Sequence, residues 1–468
     1  MGSQTNVDNM ATEVEEMEVK KQEVNEFNDG RERAPYTWGQ SATDWFKQTL
    51  YPSYTDEAVE KDLLSVLPFF PASDGTRKAE VINTPVGDGN YIHEFYIENL
   101  EKPSASSPPV KDVVLVHGYA ASLGLFIDNF DDLSKVPGIK IHAIDLLGFG
   151  FSSRPKFPKF EVTTKEDIYK VEDWFIDSLE TWRKNRKIDR FVLIGHSFGG
   201  YLSCAYALKY NKAFVDASGH SVNPIDKLVL ISPVGVERNK YSFLKSIKTP
   251  AVSAGEKLKE NQESSHLRLS QEITADQENI INPTTSAEEI PSGPSKTDYD
   301  DPNASRGAKL FKFLWEKHIS PFSLVRNMGP IRSKMISGWT THRFAHTYYT
   351  DPNKFYAVHN YIYRIFNGKG SGEYAITRIL AVGAVARLPL LDRCPQAFAA
   401  QSLPTFWMYG DKDWMNEKAG YQMAKEINTL AETKLASFAI IPNAGHHVYL
   451  DNPALFSRLV LKFLNFKI

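Results

Sequence analysis

Cysteine is nearly absent: Cys204 and Cys394 are the only two in 468 residues. Two are too few for a disulfide framework or a zinc cluster, and they fit a reducing, cytoplasmic setting. Long apolar runs are missing too. The best, Ile379 to Ala386, is bracketed by Arg378 and Arg387 and falls well short of the roughly 18 residues of a spanning helix. Any membrane contact is therefore expected to be peripheral. The chain also lacks a strong excess of positive charge, its net charge being −3, which argues against nucleic acid as a partner. At the N-terminus there is no apolar secretory stretch. Glu13, Glu15, Glu16, Glu18, Glu23, Glu26 and Glu32 oppose a mitochondrial presequence and make residues 1–34 a disordered acidic tail. Met1-Gly2 opens a myristoylation pattern, but Asn6 occupies the place of its Ser or Thr. No cofactor or metal is expected.

Hydrophobic residues make up 42% and aromatics 12% of the chain, ample for a large core. The most informative stretch is Gly195-His196-Ser197-Phe198-Gly199. It follows the apolar run Arg190 to Ile194 and precedes the helix-forming Gly200 to Ala205. This is the strand-turn-helix setting of a nucleophile elbow, in which glycines free the sharp turn and the serine Oγ stands above a sheet. Ser197 is the candidate nucleophile.

The remaining parts of a serine hydrolase follow at strand ends. The strand Lys111 to Val116 leads into His117-Gly118-Tyr119-Ala120-Ala121-Ser122, the place of an oxyanion loop. The backbone N–H groups of Tyr119 and Phe198 are the expected oxyanion donors. His117 is read as closing the strand and fixing the loop rather than moving a proton. After Pro404 to Tyr409 comes Gly410-Asp411-Lys412-Asp413, where the acid of a triad belongs; Asp413 is the first choice and Asp411 the reserve. The strand Ser437 to Ile441 leads to Asn443-Ala444-Gly445-His446-His447, with His446 as base and His447 packed beside it. The order Ser, Asp, His is that of the α/β-hydrolases. The predicted fold is accordingly α/β, a mostly parallel sheet wrapped by helices, with a helical cap inserted.

Domain limits follow from where strand-helix alternation starts and stops. An N-terminal extension over 35–107 packs on the hydrolase body. Its aromatic segment from Pro35 to Pro71, including Trp38, Trp45, Phe46 and Leu50, is read mainly as packing, with membrane contact as the alternative. Core sequence spans 108–238 and resumes over 403–468, with the cap between at 239–402. Within the cap, about 253–306 is rich in Ser, Pro, Gly, Glu and Asp and is expected to be a disordered loop.

Several motifs together resemble one α/β-hydrolase subfamily. They are Asp145-Leu146-Leu147-Gly148-Phe149-Gly150, Ser152-Ser153-Arg154-Pro155, the Ser197 elbow, Ser320 to Arg326 with Gly329-Pro330, and Gly445-His446-His447-Val448-Tyr449 with Asp451. The group resembled contains the N-acylphosphatidylethanolamine lysophospholipase, the lipid-droplet coactivator of triglyceride lipase, and the fungal cardiolipin deacylase and lysophosphatidate acyltransferase. The resemblance implies a phospholipid or lysophospholipid substrate, a membrane or lipid-droplet surface as partner, and a mitochondrial location in some members. The coactivator branch lacks the serine that this chain keeps. Asn416 stands where some members carry aspartate. His446 and Asp451 also form an H-x-x-x-x-D pattern like that of glycerolipid acyltransferases, which would bring acyl-CoA in as a partner. Asp451-Asn452-Pro453 is read first as the cap of a last helix, ahead of the acyltransferase acid.

The expectation from sequence is a serine acyl hydrolase of glycerophospholipids working through Ser197, His446 and Asp413. The alternatives are an acyl-CoA-dependent lysophosphatidate acyltransferase using His446 and Asp451, and a non-catalytic scaffold at a lipid surface that activates a lipase.

Overall fold

Apolar runs bounded by Gly, Asp and Asn build an eight-stranded sheet in the computed structural model, which describes residues 36–103, 111–216, 218–244 and 306–466. The strands are β1 (Arg77–Gly87), β2 (Asn90–Asn99), β3 (Lys111–Val116), β4 (Ile139–Ile144), β5 (Phe191–His196), β6 (Ile225–Ile231), β7 (Thr405–Gly410) and β8 (Ala436–Ile441). Their order is β1-β2-β4-β3-β5-β6-β7-β8. All neighbours from β4 to β8 are parallel, while β1 and β2 pair antiparallel with each other and β2 pairs antiparallel with β4.

The inner strands are apolar throughout because both sheet faces are covered. Val114 and Val116 of β3 join the core on one side and Val113 and Leu115 the core on the other. On the first side lies α4 (Lys165–Asn185), whose Val171, Phe175, Leu179 and Trp182 are buried in one stripe. Preceding it in the chain are α1 (Trp38–Leu50), α2 (Asp56–Leu64) and α3 (Ile127–Ser134), and α5 (Phe198–Tyr210) leaves the elbow.

The sheet begins inside the segment assigned to an N-terminal extension, since β1 and β2 are its outermost strands. The edge strand β1 alternates mostly exposed and half-buried positions, so it carries little of the apolar signal that marks an inner strand. The aromatic segment divides in two. In α2, Val59, Leu63 and Leu64 are buried. In α1 the buried residues are Ser41 and Gln48, while Trp38, Phe46 and Leu50 are 63%, 50% and 61% exposed.

The insertion contributes α6 (Arg306–Glu316), α7 (Pro321–Arg326), α8 (Ile331–Thr350) and α9 (Pro352–Asn367). Helix α9 runs against α2, α7 and α8, and its Tyr361 hydroxyl reaches Ser122 and the Gly124 N–H behind the oxyanion loop. After α10 (Cys394–Ala400) the chain re-enters the sheet, and α11 (Glu417–Ala431), the single turn α12 (Val448–Asp451) and α13 (Pro453–Phe463) complete the body. The acidic tail and nearly all of the polar cap loop lie outside the described residues. No helix among the described residues is long and apolar enough to cross a membrane.

Candidate active site

Ser197 sits between the end of β5 and the start of α5 with φ 53° and ψ −115°, a left-handed conformation that costs a non-glycine residue on the order of 1–3 kcal/mol. The surroundings enforce it. Ser197 N–H donates to Ile231 O, and its carbonyl accepts from Tyr201 N–H in the helix. A Cβ on Gly195 would lie 2.4 Å from Ser203 Oγ, and one on Gly199 2.3 Å from His117 O. Both glycines are therefore required by close packing around the turn.

Three predicted side chains meet here. The Ser197 hydroxyl donates to His446 Nε2 at 2.9 Å, and His446 Nδ1–H donates to Asp413 Oδ1 at 3.1 Å. All three are at least nine-tenths buried. Burial pushes the Asp413 carboxyl up, but the His446 hydrogen bond and charge, the Ser232 hydroxyl and the Met415 N–H outweigh it and hold the group below its usual value. Asp413 therefore stays ionised beside the imidazole. Trp414 packs at 5.0 Å from the His446 ring and is half exposed, so the imidazole lies beneath a solvent-facing indole.

Asp411, the reserve, goes elsewhere. Its two oxygens accept from Asn443 N–H and Ala444 N–H, each at 2.9 Å, pinning the loop that carries His446. Asn416 accepts from Ala419 N–H and caps α11.

Tyr119 follows Gly118 at the end of β3, and its ring packs against Phe149 and Phe322. Phe198 opens α5, so its N–H belongs to the first turn, where a helix has no acceptor of its own and its dipole favours negative charge. His117 Nδ1–H donates to Gly118 O, and Nε2 accepts from Leu146 N–H. Burial pushes its pKa down to about 4. It is a neutral brace for the loop.

Sequence reasoning missed three further groups. His196 Nε2–H donates to His446 O at 2.9 Å; Ser232 closes β6 beside Asp413; and Arg343 of α8 reaches His447 Nδ1 at 2.7 Å and Asp451 Oδ1 at 3.0 Å. His196 carried a signal, being next to the nucleophile. Arg343 had none, because Thr-Thr-His-Arg-Phe-Ala-His lies in a cap helix with no strand end to mark it. Asp451 does not touch His446: its Oδ2 accepts from Gly445 N–H at 2.8 Å. The cap of α13 is Asn452, whose side chain accepts from Leu455 N–H. Beside the oxyanion loop a cleft is lined by Ala120, Ala121, Phe149, Phe322, Ile365 and Phe366, with Arg154 and Glu373 at its polar side.

The family of the α/β hydrolase fold matches residues 112–279. A 1-acylglycerol-3-phosphate O-acyltransferase of Arabidopsis thaliana is 31% identical over 369 residues, covering 78% of this chain and 69% of the relative. A probable 1-acylglycerol-3-phosphate O-acyltransferase of Oryza sativa subsp. japonica is 29% identical over 448 residues, 92% of this chain and 86% of the relative. The (lyso)-N-acylphosphatidylethanolamine lipase of Mus musculus is 26% identical over 372 residues, 77% and 81% of the two chains. Elbow, strand order and these relatives agree: the chain is an enzyme of hydrolase or acyltransferase type and belongs to the α/β-hydrolase family, in the group that holds these acyltransferases and lipases.

Proposed function

We propose that this enzyme transfers a fatty acyl group from acyl-CoA to the free hydroxyl of 1-acylglycerol 3-phosphate, with Ser197 carrying the acyl group between them. The observation behind the acceptor is the match, along 92% and 78% of this chain, to proteins named for that reaction. The observation behind the route is the hydrogen-bonded line Ser197, His446, Asp413. Ser197 Oγ attacks the thioester carbonyl as its proton passes to His446 Nε2, and the Tyr119 and Phe198 N–H groups face the oxyanion. Collapse breaks the C–S bond, and the coenzyme thiol leaves with the proton from His446. The acceptor hydroxyl then gives its proton to His446 and attacks the acyl-serine, releasing phosphatidate and restoring Ser197. The cleft beside the oxyanion loop, walled by Phe149, Phe322, Ile365 and Phe366, suits an acyl chain.

Water in place of the acceptor gives a phospholipid or lysophospholipid acyl hydrolase, the second reading. It is favoured by the similarity to the mouse lipase. The scaffold reading has no use for the Ser197–His446 hydrogen bond. We place the enzyme at a membrane or lipid-droplet surface, where its substrates lie and where the exposed aromatic stripe of α1 would contact lipid.

The test is to incubate purified protein with labelled acyl-CoA and 1-acylglycerol 3-phosphate, and separately with phospholipids alone, following phosphatidate and free fatty acid by mass spectrometry. Phosphatidate should form and should fall by about 10⁶ in kcat in Ser197→Ala. Fatty acid without phosphatidate would replace transferase by hydrolase. Phosphatidate that survives Ser197→Ala but vanishes in Asp451→Asn would replace the acyl-serine by direct transfer through His446 and Asp451.

A further inference from the structure

The loop bearing His446 is held on three sides. Asp413 takes the imidazole Nδ1–H, His196 holds the backbone carbonyl, and Asp451 takes the N–H of the preceding Gly445. Asp451 in turn accepts from Arg343 Nη1 at 3.0 Å and 3.3 Å through its two oxygens. Both side chains are 21% exposed, so the pair is shielded enough to be worth more than a surface ion pair. Arg343 belongs to the cap. Helix α8 loses its helical geometry one residue later, at Phe344 (φ −122°, ψ 28°), whose ring is buried in the core. Arg343 and Phe344 thus meet the body as neighbours, one at the histidine loop and one in the core.

We propose that Arg343 and Asp451 form a strut through which the cap sets the position of the His446 imidazole. Both are positioning residues for proton transfer, an inference that rests on the proposed role of His446. The chemistry of the contacts excludes the other uses of Asp451. His446 has two ring nitrogens, and both are engaged, one with Ser197 and one with Asp413, so no ring atom is left for a second acid. Helix α13 has its own cap in Asn452. What remains for the Asp451 carboxylate is the Gly445 N–H and the guanidinium. Arginine only donates, so the Nδ1 of His447 accepts and that ring is neutral, with its proton on Nε2. The same guanidinium thus ties down His447 directly and Gly445 through Asp451, the two residues that flank His446 in the chain, and keeps a second imidazolium from forming beside it.

The test uses the whole 468-residue chain and four variants: Arg343→Met, which keeps the aliphatic stem; Asp451→Asn, which keeps an acceptor for Gly445 but loses the charge; the double variant; and Arg343→Lys, which keeps the charge. Turnover of p-nitrophenyl butyrate, the rate of Ser197 labelling by a fluorophosphonate, and hydrogen exchange in the Gly445–His447 segment are measured. Each single variant should lower kcat and the labelling rate about tenfold with KM little changed, and should speed exchange in that segment. The double variant should be no worse than the worse single, since one interaction is lost only once, and Arg343→Lys should recover part of the rate. Multiplying losses, or unchanged exchange in folded single variants, overturns the strut. An Asp451→Asn enzyme that is dead while Arg343→Met is fully active makes Asp451 a catalytic acid and also overturns it. If the wild-type serine does not react with the fluorophosphonate, the proposed function falls, while exchange alone still decides the strut.

Discussion

Asp411 and Asp413 lie two residues apart in one loop and have different partners: two backbone N–H groups for Asp411 and the His446 imidazole for Asp413. A carboxylate that accepts two backbone N–H groups holds a chain; one that accepts an imidazole N–H orients a base. Asp413→Asn should therefore lower kcat by about 10⁴, because the amide stabilises the wrong imidazole tautomer and leaves imidazolium uncompensated. Asp411→Asn keeps one acceptor but points an NH2 at the second N–H, a loss of about 1–3 kcal/mol in stability with a much smaller effect on rate. Steady-state kinetics and thermal melts of both variants decide it, and the reverse order would exchange their roles. The candidates at strand ends were legible because a parallel sheet presents its C-terminal loops on one side. Which of two neighbouring acids turns inward was not, since a loop has no periodicity that fixes side-chain direction. Arg343 was invisible for a different reason. Its partners are 104 and 108 residues away in sequence, and nothing local marks a helix residue for a contact across the cap.

Among the elements, α1 reverses the usual helix. Trp38, Phe46 and Leu50 are spaced by eight and four, which places them on one face, and that face is exposed, whereas Ser41 and Gln48 are buried against the cap. Gln48 Nε2 donates to Asn360, and Ser41 Oγ donates to Pro330 O, so the helix is docked through polar contacts. Lys334 lies over the Trp38 ring at 5.4 Å, adding positive charge at the edge of the stripe. Exposing such a stripe to water forgoes about 1.5–3 kcal/mol per side chain, an amount recovered if it lies in a lipid interface. Replacing Trp38, Phe46 and Leu50 together by serine should leave the melting temperature within a few degrees and turnover of a soluble ester intact, while lowering sedimentation with phosphatidate-containing vesicles about tenfold or more. Equal sedimentation of variant and wild type would show that the stripe does not contact lipid. The sequence carried helical spacing over Asp56 to Leu67, at α2 rather than α1, and periodicity alone cannot say whether an apolar side meets a core or a bilayer. In α2 it meets the core.

At the scale of the whole molecule, buried and half-buried histidines of two kinds contribute to how stability depends on pH. His142 faces carboxylates on both sides, Glu94 at Nδ1 and Asp112 at Nε2. His93 faces Asn83 Oδ1 and the Glu60 carboxylate. A ring that faces an ionised carboxylate at both nitrogens, as His142 does, satisfies both of them only when doubly protonated, and the Glu60 carboxylate favours the charged form of His93 in the same way. Burial opposes this, but the partners outweigh it and raise both pKa values above the ordinary 6.5. Their stabilisation is complete below the unfolded pKa and is lost as pH rises through the folded one. His117, His196, His318 and His447 are held neutral instead, burial being the first cause in each, with His117 and His318 down to about 4. These favour the folded state above about pH 6.5 and withdraw that support as pH falls toward 4, on the order of 3 kcal/mol for His117. Asp145 offsets part of this acid limb. Burial raises it to about 6, so its own contribution weakens as pH climbs from 4 to 6. Taken by themselves, the two sets of histidines support folding best around the ordinary imidazole pKa and less on either side of it. In His142→Gln the alkaline limb should flatten while the acid limb keeps its slope, although the baseline drops because Glu94 loses a charged partner. Melting temperatures of wild type and variant from pH 5 to 8.5 measure this directly. Parallel curves above pH 7 would mean that the His142 imidazolium does not form, and that the Glu94–His142–Asp112 chain is neutral at its centre.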